Sequence, residues 1–299
     1  MSDLQIPKEK LDVRQWWADN PMTYGSVHGE TSYADETGQL LAADIGSRKF
    51  FEQVDETFYS WNHPLHDQTG RFGRIFSYDR YRGKRVLEVG CGMGTMAMNW
   101  AQHGALMHAA DLNPVAVTQT STRFRLAGLP LSAVQVDGNV LPFPDNSFDY
   151  VYSWGVLHHS PDLERSIAEL FRVLRPGGGF GVMLYHRRSI LHWFIIRLIE
   201  GYLHGESQFL NELEMTSRYT DGDRKEGNPH TWPVTREEMR DLFGPHSADL
   251  KVDTLGTDVD FTLDQIVIAP ALARLIPALA RKPWARRWGW SLWMNGTKR

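Results

Sequence analysis

Residues 86–94 read Val-Leu-Glu-Val-Gly-Cys-Gly-Met-Gly, a short apolar run followed by three alternating glycines. Helix-forming sequence, Thr95-Met-Ala-Met-Asn-Trp-Ala, comes directly after. A buried strand that ends in side-chain-free backbone and turns into a helix lets a ligand lie against the main chain. The pattern points to an α/β fold with a nucleotide-type site at the carboxyl edge of a sheet. Gly90, Gly92 and Gly94 give G-x-G-x-G, and Thr95 stands where a dinucleotide fingerprint has its last glycine. The next apolar run, Leu106-Met-His-Ala-Ala, ends in Asp111, 21 residues after Gly90. That spacing suits an acceptor for a ribose diol in more than one cofactor class, so this acid alone does not choose among them.

The later segments narrow the choice. Val134-Gln-Val-Asp137-Gly138-Asn139 reads as a third strand ending in an acid. Leu141-Pro-Phe-Pro-Asp-Asn-Ser-Phe-Asp149, Tyr150-Val-Tyr-Ser-Trp-Gly-Val-Leu-His-His159 and Leu174-Arg-Pro-Gly-Gly-Gly179 follow in that order. The ordered set resembles the class I S-adenosylmethionine-dependent methyltransferases. The branch it is similar to contains the ubiquinone/menaquinone and many small-molecule methyltransferases. The resemblance is strong over about residues 80–190 and weak elsewhere.

Strand patterns fall at about 85–90, 106–110, 132–136, 149–154 and 179–185, and helix patterns at about 94–103, 114–127 and 161–174. Short apolar strands alternating with helices imply a parallel sheet covered on both faces. Asn113 and Pro114 predict a helix start, and the glycines at 177–179 predict a turn. Leu250-Lys-Val-Asp-Thr-Leu and Gly289-Trp-Ser-Leu-Trp-Met-Asn-Gly read as two last strands. The resemblance makes these the sixth and seventh, the seventh inserted antiparallel. The expected fold is a Rossmann-like, seven-stranded, mostly parallel sheet with helices on both faces.

Residues 1–80 form an aromatic-rich segment, with Phe50, Phe51, Val54 and Phe58 at helical spacing. They are expected to make an N-terminal helical cap on a methyltransferase domain spanning 81–299. Their aromatics would also suit an interface in a homo-oligomer. An insertion at about 187–235 begins with an apolar helix pattern at 189–201 and continues as a polar, glycine-containing loop. It is placed to build acceptor specificity. Residues 269–288 are apolar and basic, a composition that fits either a packing helix or contact with a membrane surface.

The resemblance implies S-adenosyl-L-methionine as cofactor and assigns its site to this chain. Glu88, Gly90, Cys91, Gly92 and Gly94 would surround the methionine part and ribose. Asp111 would accept both ribose hydroxyls, since an ionised carboxylate is a bidentate acceptor. Leu112 would lie against adenine, with Asp137, Gly138 and Asn139 at its polar edge. Ser153 and Trp154 end the fourth strand beneath the sulfonium. Trp154 would either offer a ring face to the cation or pack in the core.

Methyl transfer from a sulfonium is an in-line displacement that positioning can accelerate, with a base required only for a protonated acceptor. His158, His159 and Tyr185 are the candidates for catalytic work at the acceptor. Tyr24, His186, Tyr219 and Asp221, with His230, are candidates for acceptor binding. Neighbouring histidines on a loop do not chelate without a carboxylate or third ligand nearby, and the spacing shows none, so no metal is expected.

Composition sets outer bounds. The 299 residues carry a net charge of −4, which gives no general reason to expect nucleic acid. The single cysteine, Cys91, excludes an intramolecular disulfide. The first residues lack a signal-peptide pattern and no run of 18 apolar residues occurs, so the expected location is the cytoplasm. The expected activity is methyl transfer to an O, N, S or C atom of a small molecule. Alternatives are methylation of a lipid or quinone at a membrane surface, or cofactor binding without turnover.

Overall fold

The structure is a computed structural model that describes residues 8–20, 32–34, 40–42, 44–221, 227–255 and 288–299. A two-stranded antiparallel hairpin, β1 (Ser32–Ala34) and β2 (Leu40–Ala42), stands apart from the main sheet. The main sheet holds β3 (Arg85–Val89), β4 (Leu106–Asp111), β5 (Ser132–Gln135), β6 (Phe148–Trp154), β7 (Leu174–Tyr185), β8 (Lys251–Leu255) and β9 (Ser291–Thr297). Its order is β5-β4-β3-β6-β7-β9-β8. The first five of these are parallel, and β9 runs antiparallel to both β7 and β8. The seven strands and the reversed last strand agree with the sequence expectation.

Helices α1 (Lys8–Asp19), α2 (Arg48–Trp61), α3 (Thr95–Gln102), α4 (Pro114–Ala127), α5 (Leu163–Val173), α6 (Glu212–Tyr219) and α7 (Arg236–Phe243) complete the described helices of α type. Local chemistry sets their ends. Asn113 accepts from the Val115 amide and Pro114 opens α4, as the sequence predicts. Ser47 caps α2, and Asn211 and Thr235 cap α6 and α7 through reciprocal bonds with Glu214 and Glu238.

The two faces of the sheet bury different side chains. Along β6, Tyr150, Tyr152 and Trp154 point to one face and Val151 to the other, the period-two alternation of a strand. The aromatic face packs Phe58, Phe72, Phe76, Trp100, Tyr150, Tyr152 and Trp293 together. The opposite face is aliphatic and phenylalanine-rich, with Phe180, Val182 and Leu184 of β7 packed with Leu170 and Phe171 of α5 and Phe243 of α7. Each such side chain contributes about 1.5–3 kcal/mol by leaving water. A buried ion pair between Arg123 of α4 and Asp55 ties α2 to this framework.

Three expectations need correction. The glycines at 177–179 do not precede the fifth sheet strand but lie inside it. β7 starts at Leu174, Leu174 pairs with Phe148 and Gly179 with Tyr150, and the surplus residues form a bulge around Gly177, whose φ is +71°. Most described aromatics of the first 80 residues are buried rather than exposed, Phe50, Phe51, Phe58, Tyr59, Phe72, Phe76 and Tyr78 among them, while Trp61 is 37% exposed. The apolar helix expected at 189–201 does form, but shifted to Leu191–Leu203 and of π type, with His204 N–H donating to Ile199 O five residues back. Tyr24 and residues 269–287 lie outside the described residues. No described helix is long and apolar enough to cross a membrane.

Candidate active site

A cavity of about 390 Å³ opens at the carboxyl ends of β3, β4, β6 and β7, where an open α/β sheet binds ligands. The glycine loop forms its floor. Gly90 sits at φ +85°, and a Cβ there would stand 2.3 Å from a Val156 methyl carbon, so only glycine fits. A Cβ on Gly92 would meet nothing within 4 Å, so the backbone at this point faces open space. Thr120 Oγ1 donates to the Gly92 carbonyl at 2.9 Å and holds the loop from behind. Gly94 is turned away from the cavity and caps α3. Cys91 lines the cavity, but burial pushes its thiol well up, against a nucleophilic role.

Four carboxylates meet this cavity: Glu88, Asp111, Asp137 and Asp221. Asp111 ends β4 and accepts the Gly92 amide on Oδ2 at 2.9 Å and the Asn113 amide on Oδ1 at 2.8 Å. Burial raises its carboxyl above the usual range, and those backbone bonds pull the other way. Asp137 accepts the Asn139 amide at 2.9 Å. Glu88 is buried in β3, and its Oε2 has no hydrogen-bond partner among the described residues. Burial drives its carboxyl well upward, with the Tyr152 hydroxyl as the leading opposing neighbour. An orphaned buried carboxylate oxygen fits an ammonium group, so the residues present suit the amino-acid end of S-adenosylmethionine. Leu112 and Gly138 also line the wall.

Several predicted residues stand behind the wall rather than on it. Asn139 is wholly buried, and its Oδ1 accepts from Ser160 and Ser166. Ser153 donates to the Val89 carbonyl at 2.8 Å and fastens β6 to β3. His186 is buried, with Nδ1 3.2 Å from the Gly289 carbonyl. His158 is wholly buried beneath Tyr185, ring centroids 3.9 Å apart. Burial holds its imidazole well below the ordinary range.

Trp154, His159, Tyr185, Tyr219 and Asp221 do reach the cavity. Trp154 also packs edge-on against Phe72 at 5.0 Å, so the ring serves core and cavity together. The Tyr185 hydroxyl donates to Asp221 Oδ2 at 2.6 Å. His159 Nε2 lies 3.3 Å from the same oxygen, and its Nδ1 contacts the His230 carbonyl at 2.8 Å. Tyr219 lines the cavity, with its hydroxyl spent on Glu206 at 2.7 Å. A ring nitrogen of His158, one of His159 and an oxygen of Asp221 lie within 4.8 Å of one another. The expectation that no carboxylate stands near the paired histidines is thus corrected. The insertion carries Asp221 back over the end of β7.

Sequence reading also missed residues that line the cavity. Val13 and Trp17 come from α1, and the Asn113 side chain donates to the Trp17 carbonyl. Trp17 meets His159 edge-on at 5.0 Å. Trp290 stacks on Tyr185 at 4.4 Å. No periodicity marks Trp17 or Trp290, since each is one of several tryptophans in its segment.

Residues 87–182 match the family described as a methyltransferase domain. The chain is 33% identical over 153 residues to sterol 24-C-methyltransferase ERG6B of Gibberella zeae, covering 46% of this chain and 40% of that protein. It is 37% identical over 127 residues to a phthiotriol/phenolphthiotriol dimycocerosates methyltransferase of Mycobacterium ulcerans, covering 42% and 46%. The chain therefore spans less than half the length of these curated relatives. Among solved structures, geranyl diphosphate C-methyltransferase of Streptomyces coelicolor A3(2) superposes over 98% of this chain and 99% of its own, with a TM-score of 0.56 and 13% identity. That likeness concerns the fold. Glycine loop, strand-end acids and matched segment coincide on one sheet edge, and residues 87–182 of this chain carry the match to a methyltransferase domain.

Proposed function

We propose that the protein transfers a methyl group from S-adenosylmethionine to a small, largely apolar acceptor. One observation carries the reading: a single cavity joins the glycine loop and Asp111 to a wall of Trp17, Trp154, Tyr185 and Trp290. When bound, the cofactor supplies an electrophilic methyl carbon whose leaving thioether needs no proton. Glu88 would take the ammonium, Asp111 the ribose hydroxyls, Leu112 the adenine face and Asp137 the adenine amino group. The aromatic wall would hold the acceptor in line and exclude water, the positioning such a displacement depends on. His159, Tyr185 and Asp221 would orient the polar atom of the acceptor. Residues 1–80 would act as a cap, supported by Val13 and Trp17 at the mouth, and the 187–235 insertion would shape the acceptor side. The reading includes a cytoplasmic location, in keeping with a lone free thiol.

A lipid acceptor met at a membrane surface is the second reading. It is favoured by the exposed Trp193, Phe194, Tyr202, Leu203 and Phe209 of the insertion, of which Phe209 is 85% exposed. Transfer of an isotopically labelled methyl group into fractionated extract, read by mass spectrometry, tests both. A labelled water-soluble product lost in Asp111→Ala supports the first reading. A labelled lipid supports the second. Cofactor binding without any labelled product would refute transfer to either.

A further inference from the structure

The pairing of His159 with Asp221 has an electrostatic defect as it stands. His159 Nδ1 faces the His230 carbonyl at 2.8 Å, and a carbonyl only accepts, so Nδ1 carries the hydrogen. Thr231 Oγ1, 3.1 Å from the same nitrogen, spends its own hydrogen on Asn228 Oδ1 at 2.7 Å and so accepts as well. In the neutral ring Nε2 then directs a lone pair at Asp221 Oδ2, 3.3 Å away. Two acceptors face each other, and Tyr185 already donates to that oxygen at 2.6 Å. A positive charge between them removes the conflict.

The third member points to what that charge is. His158 is wholly buried, and neither of its ring nitrogens has a hydrogen-bond partner among the described residues. A proton shared by His159 and Asp221 leaves His158 orphaned, whereas a metal ion uses all three groups. Zinc-type bonds of about 2.0–2.1 Å in a tetrahedron place ligand atoms about 3.3 Å apart, the separation of Nε2 and Oδ2. Metal-bound histidines characteristically donate their other ring N–H to a backbone carbonyl, as His159 does. Metal-bound carboxylates are themselves hydrogen-bonded, as Asp221 is by Tyr185.

We propose that His158, His159 and Asp221 bind a zinc-type divalent cation at the acceptor end of the cavity. Two histidines and one carboxylate leave a fourth position open, and His159 and Asp221 both line the cavity, so that position faces the acceptor. The proposal deepens the methyltransferase reading and rests on it only for its consequence: the acceptor offers an oxygen to the ion. A coordinated hydroxyl loses its proton to water at a lowered pKa. Its oxygen lone pair then forms the new C–O bond while the C–S bond breaks and its electron pair stays on sulfur.

The test is titration of Co2+, and separately Zn2+, into the chelator-dialysed full chain, with visible absorption reporting Co2+ ligation and calorimetry reporting both ions. S-adenosylhomocysteine is titrated in parallel. One ion per chain is expected, with affinity at least tenfold weaker in Asp221→Asn and in His159→Gln. Asp221→Asn keeps an acceptor for Tyr185 and leaves the buried His158 untouched, so it preserves the packing. Absence of saturable one-to-one binding, or equal affinity in Asp221→Asn, overturns the proposal. Retained S-adenosylhomocysteine binding in that case leaves the methyltransferase reading standing, and its loss with metal binding intact does the reverse.

Discussion

The Gly92 amide donates to Asp111 Oδ2 across 2.9 Å, so the loop after β3 is fastened to the end of β4 by the carboxylate proposed to hold the ribose. With Asn113 on its other oxygen, Asp111 is fixed in orientation while each oxygen keeps acceptor capacity. Asp111→Ala should weaken S-adenosylhomocysteine binding by about 1.5–3 kcal/mol, the range for hydrogen bonds to charged groups. Calorimetry at constant ionic strength measures it. Unchanged affinity would remove Asp111 from the ribose.

Tyr185 lies between His158 and Trp290 and donates to Asp221. Tyr185→Phe keeps the ring and deletes the donor. Affinity for S-adenosylhomocysteine should stay within about twofold, while kcat/KM for the acceptor falls by roughly tenfold, the loss of one bond to a charged group. If both stay at wild-type values, the residue only packs.

Gly90→Ala meets two obstacles, a positive φ and the Val156 methyls. The left-handed backbone alone costs about 1–2 kcal/mol for a residue with a Cβ. Urea denaturation should show a loss of at least about 2 kcal/mol. Adding Val156→Ala removes the two methyls but leaves its Cβ 2.7 Å away, so it should recover only part of the steric loss and none of the backbone part. A Gly90→Ala variant as stable as wild type would show that the loop adopts another conformation.

His192 of the insertion is wholly buried, and burial lowers its pKa to about 4. Its folded pKa lies below the unfolded value near 6.5, so the unfolded chain binds the extra proton first. The penalty is absent above about pH 6.5 and grows as pH falls toward 4, reaching about 2 kcal/mol at pH 5. Stability should therefore drop more between pH 7 and pH 5 in the wild type than in His192→Gln. Equal slopes in paired urea titrations would show that His192 is already charged in the fold.

Sheet positions were readable from the chain because each strand is a short apolar run whose own residues decide its burial. The place of Asp111 and Asp137 at the sheet edge was readable for a related reason: Asp111 ends β4, Asp137 lies two residues past β5, and strand ends converge on one edge. Ser153 and Asn139 stand behind the cavity wall, because position near a strand end does not decide which way a side chain turns. Ser153 turned back to Val89, and Asn139 turned under to Ser160 and Ser166. The meeting of His159 with Asp221 had no local trace. They stand 62 positions apart in sequence, and the insertion joins them by folding back along β7, where Val234 N–H donates to the Tyr185 carbonyl. Trp17 was equally hidden, as one of two adjacent tryptophans with nothing in sequence to say which turns inward.

β9 fills the gap between β7 and β8, and it is encoded by residues 291–297. A strand interior to the sheet thus follows, in sequence, both of the strands it pairs with. During synthesis β7 must wait with one edge unsatisfied, and β8 without its sheet neighbour among the described residues, until those residues emerge. Trp293, which belongs to the aromatic face, arrives with them. Clipping or tagging this stretch would therefore act as a latch left open. The nascent molecule would hold its cofactor loop ready while its second half stayed unzipped and prone to pairing with other chains.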